Sequence, residues 1–443
     1  MRIQLSDHFT YRTLLRFVAS PILMMLCTSV YGIVDGFFVS NYVGKTPFAA
    51  VNLIIPVSMG IGGIGFLVGT GGSAVVSKTL GEGKPELANQ YFSMLIWVST
   101  LFSAVISLLG MIFAPSISRL LGAEGELLRQ CVIYGRISFG TQTLFVLQSV
   151  FQNFFVTAER PDLSLKTSIL AGLTNMVLDY LLIAVIPWGV AGAAIATALG
   201  QAVGAAIPLV YFMRKNDSLL HLSRAPVNWR VVWQVCTNGS SELVTNLSTS
   251  VVNILYNFQL MRIAGEDGVA AYGIIMYVNF MFMAVYLGYS IGSAPVIGYH
   301  YGAANHGELK NLFRKSLILM VGTGLLMTVL AELFAGPLVA VFAGYDPELF
   351  AMTRYGFQLY APAFLFMGVN VWGSSFFTAL NNGGVSAAIS FLRMFVFQIA
   401  TVLILPIFLD IAGIWLAVTL AELLALLVTG FCFVWKRNVY HYL

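Results

Sequence analysis

Charge is what this chain has least of. Of its 443 residues only 9% are Asp, Glu, Lys or Arg, while 58% are hydrophobic. A soluble domain carries roughly 25% charged residues, so there is too little here to dress a water-facing surface. The net charge of +4 is too small to imply a nucleic-acid partner. The four cysteines, Cys27, Cys131, Cys236 and Cys432, all fall in apolar runs without a CxxC spacing. That excludes a disulfide framework or a thiolate metal site as the sequence's organising theme. The five histidines (His8, His221, His300, His306, His441) lie in terminal or loop-like stretches and do not cluster. No cleavable leader stands out at the start. Alternation of apolar and polar residues is also missing, which argues against a membrane-spanning barrel.

What the chain does have is long apolar runs. A helix needs about 20 such residues to cross a bilayer. Twelve runs qualify, near 14–38, 48–77, 91–114, 129–156, 163–186, 190–213, 231–261, 269–297, 313–335, 349–379, 385–408 and 412–435. The expected fold class is an all-α polytopic membrane protein with twelve transmembrane helices. With an inner N-terminus, Lys45, Arg119, Arg129, Arg136, Arg262 and Arg354 lie outside and the other 17 of 23 Lys and Arg lie inside. The excess of inner cations predicts that both termini are cytoplasmic. The longest polar stretch, residues 214–230, sits at the midpoint, and predicts a linker between a first lobe (1–213) and a second (231–443).

The halves repeat. Gly44 corresponds to Gly265, Gly72-Ser73-Ala74 to Gly292-Ser293-Ala294, and Glu86-Leu87 to Glu308-Leu309. Tyr134-Gly135 corresponds to Tyr355-Gly356, Phe154-Phe155 to Phe376-Phe377, and Ala191-Gly192 to Ala412-Gly413. The register stays nearly constant, so two six-helix, pseudo-symmetric lobes are expected. Transporters built from such repeats place the substrate site at the repeat interface.

Two acids break the symmetry. In the repeat register Asp35 corresponds to Tyr256 and Asp179 to Ala400. A carboxylate within a membrane span costs about 2.5–3.5 kcal/mol or more, so such acids face a cavity, have a partner and carry function. Asn175 lies four residues before Asp179, on the same helix face. Asp35, Asp179, Tyr134 and Thr197 are all expected in the outer part of the first lobe, with Asn175 a turn deeper. Carboxylate, amide, hydroxyl and phenol oxygens suit sodium, at Asp35, Asn175, Asp179 and Thr197. They equally suit a proton, because burial and a neighbouring carboxylate both favour the protonated form of an acid. Taken singly, Asn175 and Thr197 would be ordinary interhelical hydrogen-bonders, and Tyr134 an interfacial aromatic.

The second half offers soft and flat side chains. Tyr256, Tyr277, Phe280, Met283, Phe364 and Trp372 are candidates for a substrate cavity, since aromatic faces hold organic cations and Met adapts to varied shapes. The competing reading for each is packing or lipid contact. Glu242 sits near the inner end of its span, and Glu422 replaces Gln201 of the first half, which suggests a packing hydrogen bond. Gly60 to Gly65 and Gly69 to Gly72 lie within apolar runs, with no preceding strand and no following Lys-Ser/Thr, so they are not phosphate loops.

VDGFFVSNYVG (34–44), NMVLDYLLI (175–183), GVAGAAIAT (189–197) and PVIGYHYGAANHGELK (295–310) resemble motifs of the multidrug and toxic compound extrusion family, nearest its DinF/MepA-like bacterial branch. The resemblance covers essentially the whole chain. It implies a V-shaped central cavity between two lobes. It also implies export of varied, often cationic compounds against inward flow of protons or sodium. By motif, the family's first-lobe cation site carries over onto Asp35, Asn175, Asp179 and Thr197, and also onto Tyr134 and Tyr31. The acidic pair that another branch uses in its second lobe is not evident here.

The expected function is therefore multidrug antiport in a bacterial plasma membrane, by a monomer that needs no cofactor beyond H+ or Na+. A flippase for a lipid-linked saccharide or other amphiphile is the alternative, but it would favour a basic cavity, and Arg136 and Arg393 are the nearest intramembrane cations. An enzyme would need a nucleophile–base or metal constellation at membrane depth, and no histidine lies there. A channel is poorly served by two lobes with unmatched acids.

Overall fold

A computed structural model describes residues 3–343 and 346–443; Met1 and Arg2, at the head of the first expected lobe, and residues 344–345 lie outside it. Among the described residues there is no strand. Among these residues the apolar runs wind into twelve helical segments. The first three are α1 (Tyr11–Val43), α2 (Lys45–Gly81) and α3 (Pro85–Leu120). Next, α4 (125–157) has two pieces, Gly125–Gly140 and Gln142–Thr157, and is followed by α5 (Pro161–Val185) and α6 (Gly189–Met213). A continuous stretch, Trp229–Gly302, breaks at Gly265 into α7 (229–264) and α8 (266–302). After α9 (His306–Ala343), α10 (347–379) is again in two pieces, Pro347–Tyr360 and Ala363–Ala379. The last stretch, Gly383–Tyr440, breaks at Asp410 into α11 (383–409) and α12 (411–440). The protein is thus an all-α, multi-pass membrane protein.

Local chemistry sets several boundaries. Gly44 (φ 99°) and Gly265 (φ 64°) separate the first two helices of each half, at matching points of the repeat. Only glycine enters that region without a steric cost. Pro85, Pro161 and Pro347 stand in the first turn of their helices, where a missing N–H is harmless. Asn228 caps α7 by accepting from the amides of Arg230 and Val231.

The halves meet through glycines. A side chain at Gly71 or Gly239 would collide with backbone across the α2–α7 contact. Gly288 and Gly292 of α8 likewise sit directly on Pro21, Ile22 and Val18 of α1. Because lipid is as apolar as a side chain, such close backbone approach is what drives association here. The repeat therefore builds the same crossing twice. At the other end these helices separate, and a Cβ added at Gly32, Gly36 or Gly273 would meet no neighbouring element.

The described segments nearest both termini gather at the closed end. The Leu5 amide donates to Glu159 Oε1 (2.7 Å), and the Phe9 amide to Glu308 Oε1 (2.9 Å). Tyr442 packs on Phe313 and Phe376. The segment between α6 and α7 is lashed to α3. The His221 amide donates to Asn89 Oδ1 (2.8 Å), the Ser223 amide to Ser93 Oγ (2.9 Å), and the Asn228 amide reaches Met94 Sδ (3.0 Å).

Candidate functional site

Asp35 and Asp179 both stand where the backbone changes its winding. Four residues after Asp35, α1 turns π-helical over Val39–Val43, and the Val39 amide is shared between the carbonyls of Asp35 and Gly36. Immediately after Asp179, α5 turns π-helical over Tyr180–Val185, and the Tyr180 amide is shared between Met176 and Val177. Such π-turns are rare and concentrate at functional sites, because the extra residue re-aims the side chains beside it.

The two acids meet between α1 and α5. Asp35, Asp179 and Asn175 lie within interaction reach of one another. Asp179 is fully buried and Asn175 nearly so, while Asp35 is half-buried. Yet Asp35 Oδ1, both Asp179 oxygens and both amide atoms of Asn175 have no hydrogen-bond partner among the described residues. Two carboxylates are both acceptors, so they cannot satisfy each other while ionised. Leaving buried polar atoms unsatisfied costs about 1–3 kcal/mol each, more for charged groups. A proton shared by the pair, or a small cation between its oxygens, removes that cost.

The other candidates gather around this pair. The buried Tyr134 phenol on α4 faces both carboxylates electrostatically, and Tyr31 on α1 neighbours Asp35. A side chain at Gly172 would strike the Tyr31 ring, so α5 rides close on α1 beside the acids. On α6, Gly200 packs against Asn175 and Gly192 against Leu182. That antiparallel register brings Thr197 level with Asp179. The small residues of α6 thus let its backbone approach the acid-bearing helix. Gly413 of α12 packs on Leu405 in the same way, at the matching point of the second half.

The second-half aromatics divide. Phe280 and Tyr277 are exposed, and Met283 is half-buried. Tyr256, Phe364 and Trp372, also expected at a cavity, are fully buried and packed on other side chains. Tyr256 stacks on Tyr272 at 5.2 Å and donates to Gln398 Oε1 at 3.0 Å. Phe364 lies between Phe282 and Tyr360, and Trp372 between Phe313, Phe376 and Phe433.

A buried ion pair in the second half went unread in the sequence. Arg393, on a π-helical stretch of α11 (Leu392–Phe397), donates from Nε to both Glu422 oxygens at 2.8 and 2.9 Å. Asn370 donates to the same carboxylate (2.8 Å) and accepts from Thr429 (3.1 Å). Glu422 is therefore an ion-pair member rather than a simple packing acceptor. An Arg within an apolar run was the available signal. Glu242, half-buried on α7, lies within electrostatic reach of Arg393.

The MatE family model matches residues 21–181 and 243–404 of the chain. The multidrug export protein MepA of Staphylococcus saprophyticus is 23% identical over 375 residues, covering 84% of this chain and 82% of that protein. MepA of Staphylococcus aureus strain MSSA476 is 22% identical over 374 residues, with the same coverage. Among solved structures, a MATE in complex with MaL6 superposes with a TM-score of 0.92 at 21% identity, over 98% of this chain and 97% of that one. The outward-facing conformation of a multidrug resistance MATE family transporter gives 0.91 at 21% identity, over 97% and 95%. A MOP superfamily transporter from Pyrococcus furiosus, whose pocket is described as of reverse polarity, gives 0.90 at 20% identity, over 98% and 97%.

Proposed function

The chain belongs to the MatE family, and from that premise we propose that it exports varied, often cationic, organic compounds across a bacterial plasma membrane in exchange for protons or sodium. The relatives named as multidrug export proteins support the cargo class. One observation carries the exchange itself: two neighbouring carboxyls whose buried oxygens, Asp35 Oδ1 and both of Asp179, lack partners among the described residues. Asp35 and Asp179 are the exchanging groups. Asn175, Thr197, Tyr134 and Tyr31 supply further oxygens and set the distance between the helices.

In this reading both termini are cytoplasmic, so the end closed by the α2–α7 and α1–α8 crossings faces inward and the open end outward. The lobes 1–213 and 231–443 rock about those crossings. Binding of the ion draws α1 onto α5 and lowers the affinity for cargo. An ion drives the cycle only if it binds one state more tightly than the other. The exposed Phe280 and Tyr277 are the aromatic surfaces offered to cargo.

A flippase of lipid-linked saccharide is the other reading. It calls for a basic cavity at membrane depth; of the two cations nearest that depth, Arg393 is held by Glu422, and Arg136, exposed on α4, stands in no ion pair among the described residues.

The test is efflux from proteoliposomes under separate proton and sodium gradients, comparing wild type with Asp179→Asn. Coupling free energies of about 1–3 kcal/mol lead us to expect a loss of gradient-driven efflux of about tenfold or more. Wild-type efflux by Asp179→Asn under both gradients would remove the carboxyl pair from the mechanism.

A further inference from the structure

We propose that a cavity at the closed end of the first half holds the phosphate headgroup of an anionic phospholipid. The cavity has a volume of about 390 Å³ and lies where α6 runs out into the segment that joins the halves. Arg160, Arg214 and Lys215 line it, with Asp217 as the one carboxylate of the lining. Tyr211, Asn216, Ile207 and Val210 complete the wall.

Three features of the wall match a phosphate ester. Arg160 precedes α5 and projects its guanidinium over the Tyr211 ring, 5.9 Å from the centroid. It meets Asp162 through Nε at 3.5 Å, and Asp162 is shared with Lys166 at 3.7 Å. The terminal amino groups of Arg160 make no hydrogen bond to the described residues, and they are the fork that suits phosphate. The Tyr211 hydroxyl is buried and has no partner among the described residues. A buried hydroxyl without a bond costs about 1–3 kcal/mol, and a phosphate oxygen is the acceptor that would relieve it. Arg214 and Lys215 are exposed and stand in no ion pair among the described residues.

Cations just beyond a helix C-terminus have an ordinary reading as partners of the helix dipole and as inner-side topology signals. That reading explains Arg214 and Lys215. It accounts neither for the cavity nor for the unsatisfied hydroxyl of Tyr211, a residue of its wall.

The wall also says which phosphate. Ile207 and Val210 lie on α6 within the span and are exposed. They continue the cavity sideways onto the lipid-facing surface, where acyl chains run. A free phosphate would gain nothing from them. Basic pockets at the cytoplasmic rim of membrane helices meet anionic lipid in this manner.

The experiment is native mass spectrometry of the full chain in detergent, titrated with phosphatidylglycerol or phosphatidylcholine. Wild type should retain one phosphatidylglycerol in preference to phosphatidylcholine. The triple substitution Arg160→Gln, Arg214→Gln, Lys215→Gln should lower phosphatidylglycerol retention about tenfold or more, given three headgroup cations lost. Phosphatidylcholine retention should not change. Tyr211→Phe, which keeps the ring and removes only the hydroxyl, should give a smaller loss and stands as the test if the triple variant does not fold. Lys436→Gln with Arg437→Gln, at the end of α12, should leave retention intact. Equal retention by wild type, the triple variant and Tyr211→Phe would overturn the site. So would an equal loss in the α12 control, which would mean unspecific attraction. Displacement of the lipid by millimolar inorganic phosphate would overturn the lipid assignment in favour of a free anion.

Discussion

Each half of the molecule keeps charge inside the membrane, and the two halves treat it in opposite ways. In the second half Arg393 and Glu422 close on each other at 2.8 Å, and Asn370 donates a further hydrogen bond to Glu422 Oε2. In the first half Asp35 and Asp179 carry the same sign, and their buried oxygens are unmet. The difference teaches how to sort intramembrane charge. A pair complete in itself holds helices together. A pair that needs a third body from solution is suited to exchange.

The comparison can be broken most forcefully at Arg393. Arg393→Ala leaves Glu422 buried and uncompensated, and should destabilise the protein by about 3–5 kcal/mol. Melting temperature in detergent reports it, and the double change Arg393→Met with Glu422→Leu should recover most of the loss. A second change acts on the crossing both halves share. Gly71→Ala puts a methyl group into the Val235 and Gly239 backbone, and such overpacking costs about 1–3 kcal/mol. Cysteine accessibility at the closed end should rise in this variant, whereas unchanged labelling would show that the contact yields without opening. Asp35→Asn should do the reverse of Arg393→Ala. It removes a charge that lacks a partner, so the melting temperature should hold or rise while gradient-driven efflux is lost. A melting temperature that falls as far as in Arg393→Ala would erase the distinction between the two pairs. The smallest effect is expected at Tyr256→Phe, which loses one hydrogen bond to Gln398. It should cost about 0.5–1.5 kcal/mol and leave ion coupling alone.

Much of this was legible in one dimension. Apolar runs, the Gly44–Gly265 correspondence and acids without acidic counterparts are properties of order along the chain, and order is what a sequence records. The aromatic positions were not legible for a physical reason. Lipid, cavity wall and helix interior are all apolar, so hydropathy cannot tell fully buried Trp372 from Phe280, which is 64% exposed. The Arg393–Glu422 pairing depends on how α11 and α12 are rotated against each other, which no run of letters states. The π-turns beside Asp35 and Asp179 are equally silent, since Val39–Val43 and Tyr180–Val185 read as ordinary helix formers.

The segment lashed to α3 has a mechanical consequence. Because its bonds run from Leu219 to Asn228, the first turn of α7 is moored to the opposite lobe. In the proposed rocking of the lobes, that turn travels least and the far ends of α7 and α8 travel most. A distance label beside Asn228 would therefore stay nearly still through a cycle in which one beside Gly265 swings widely.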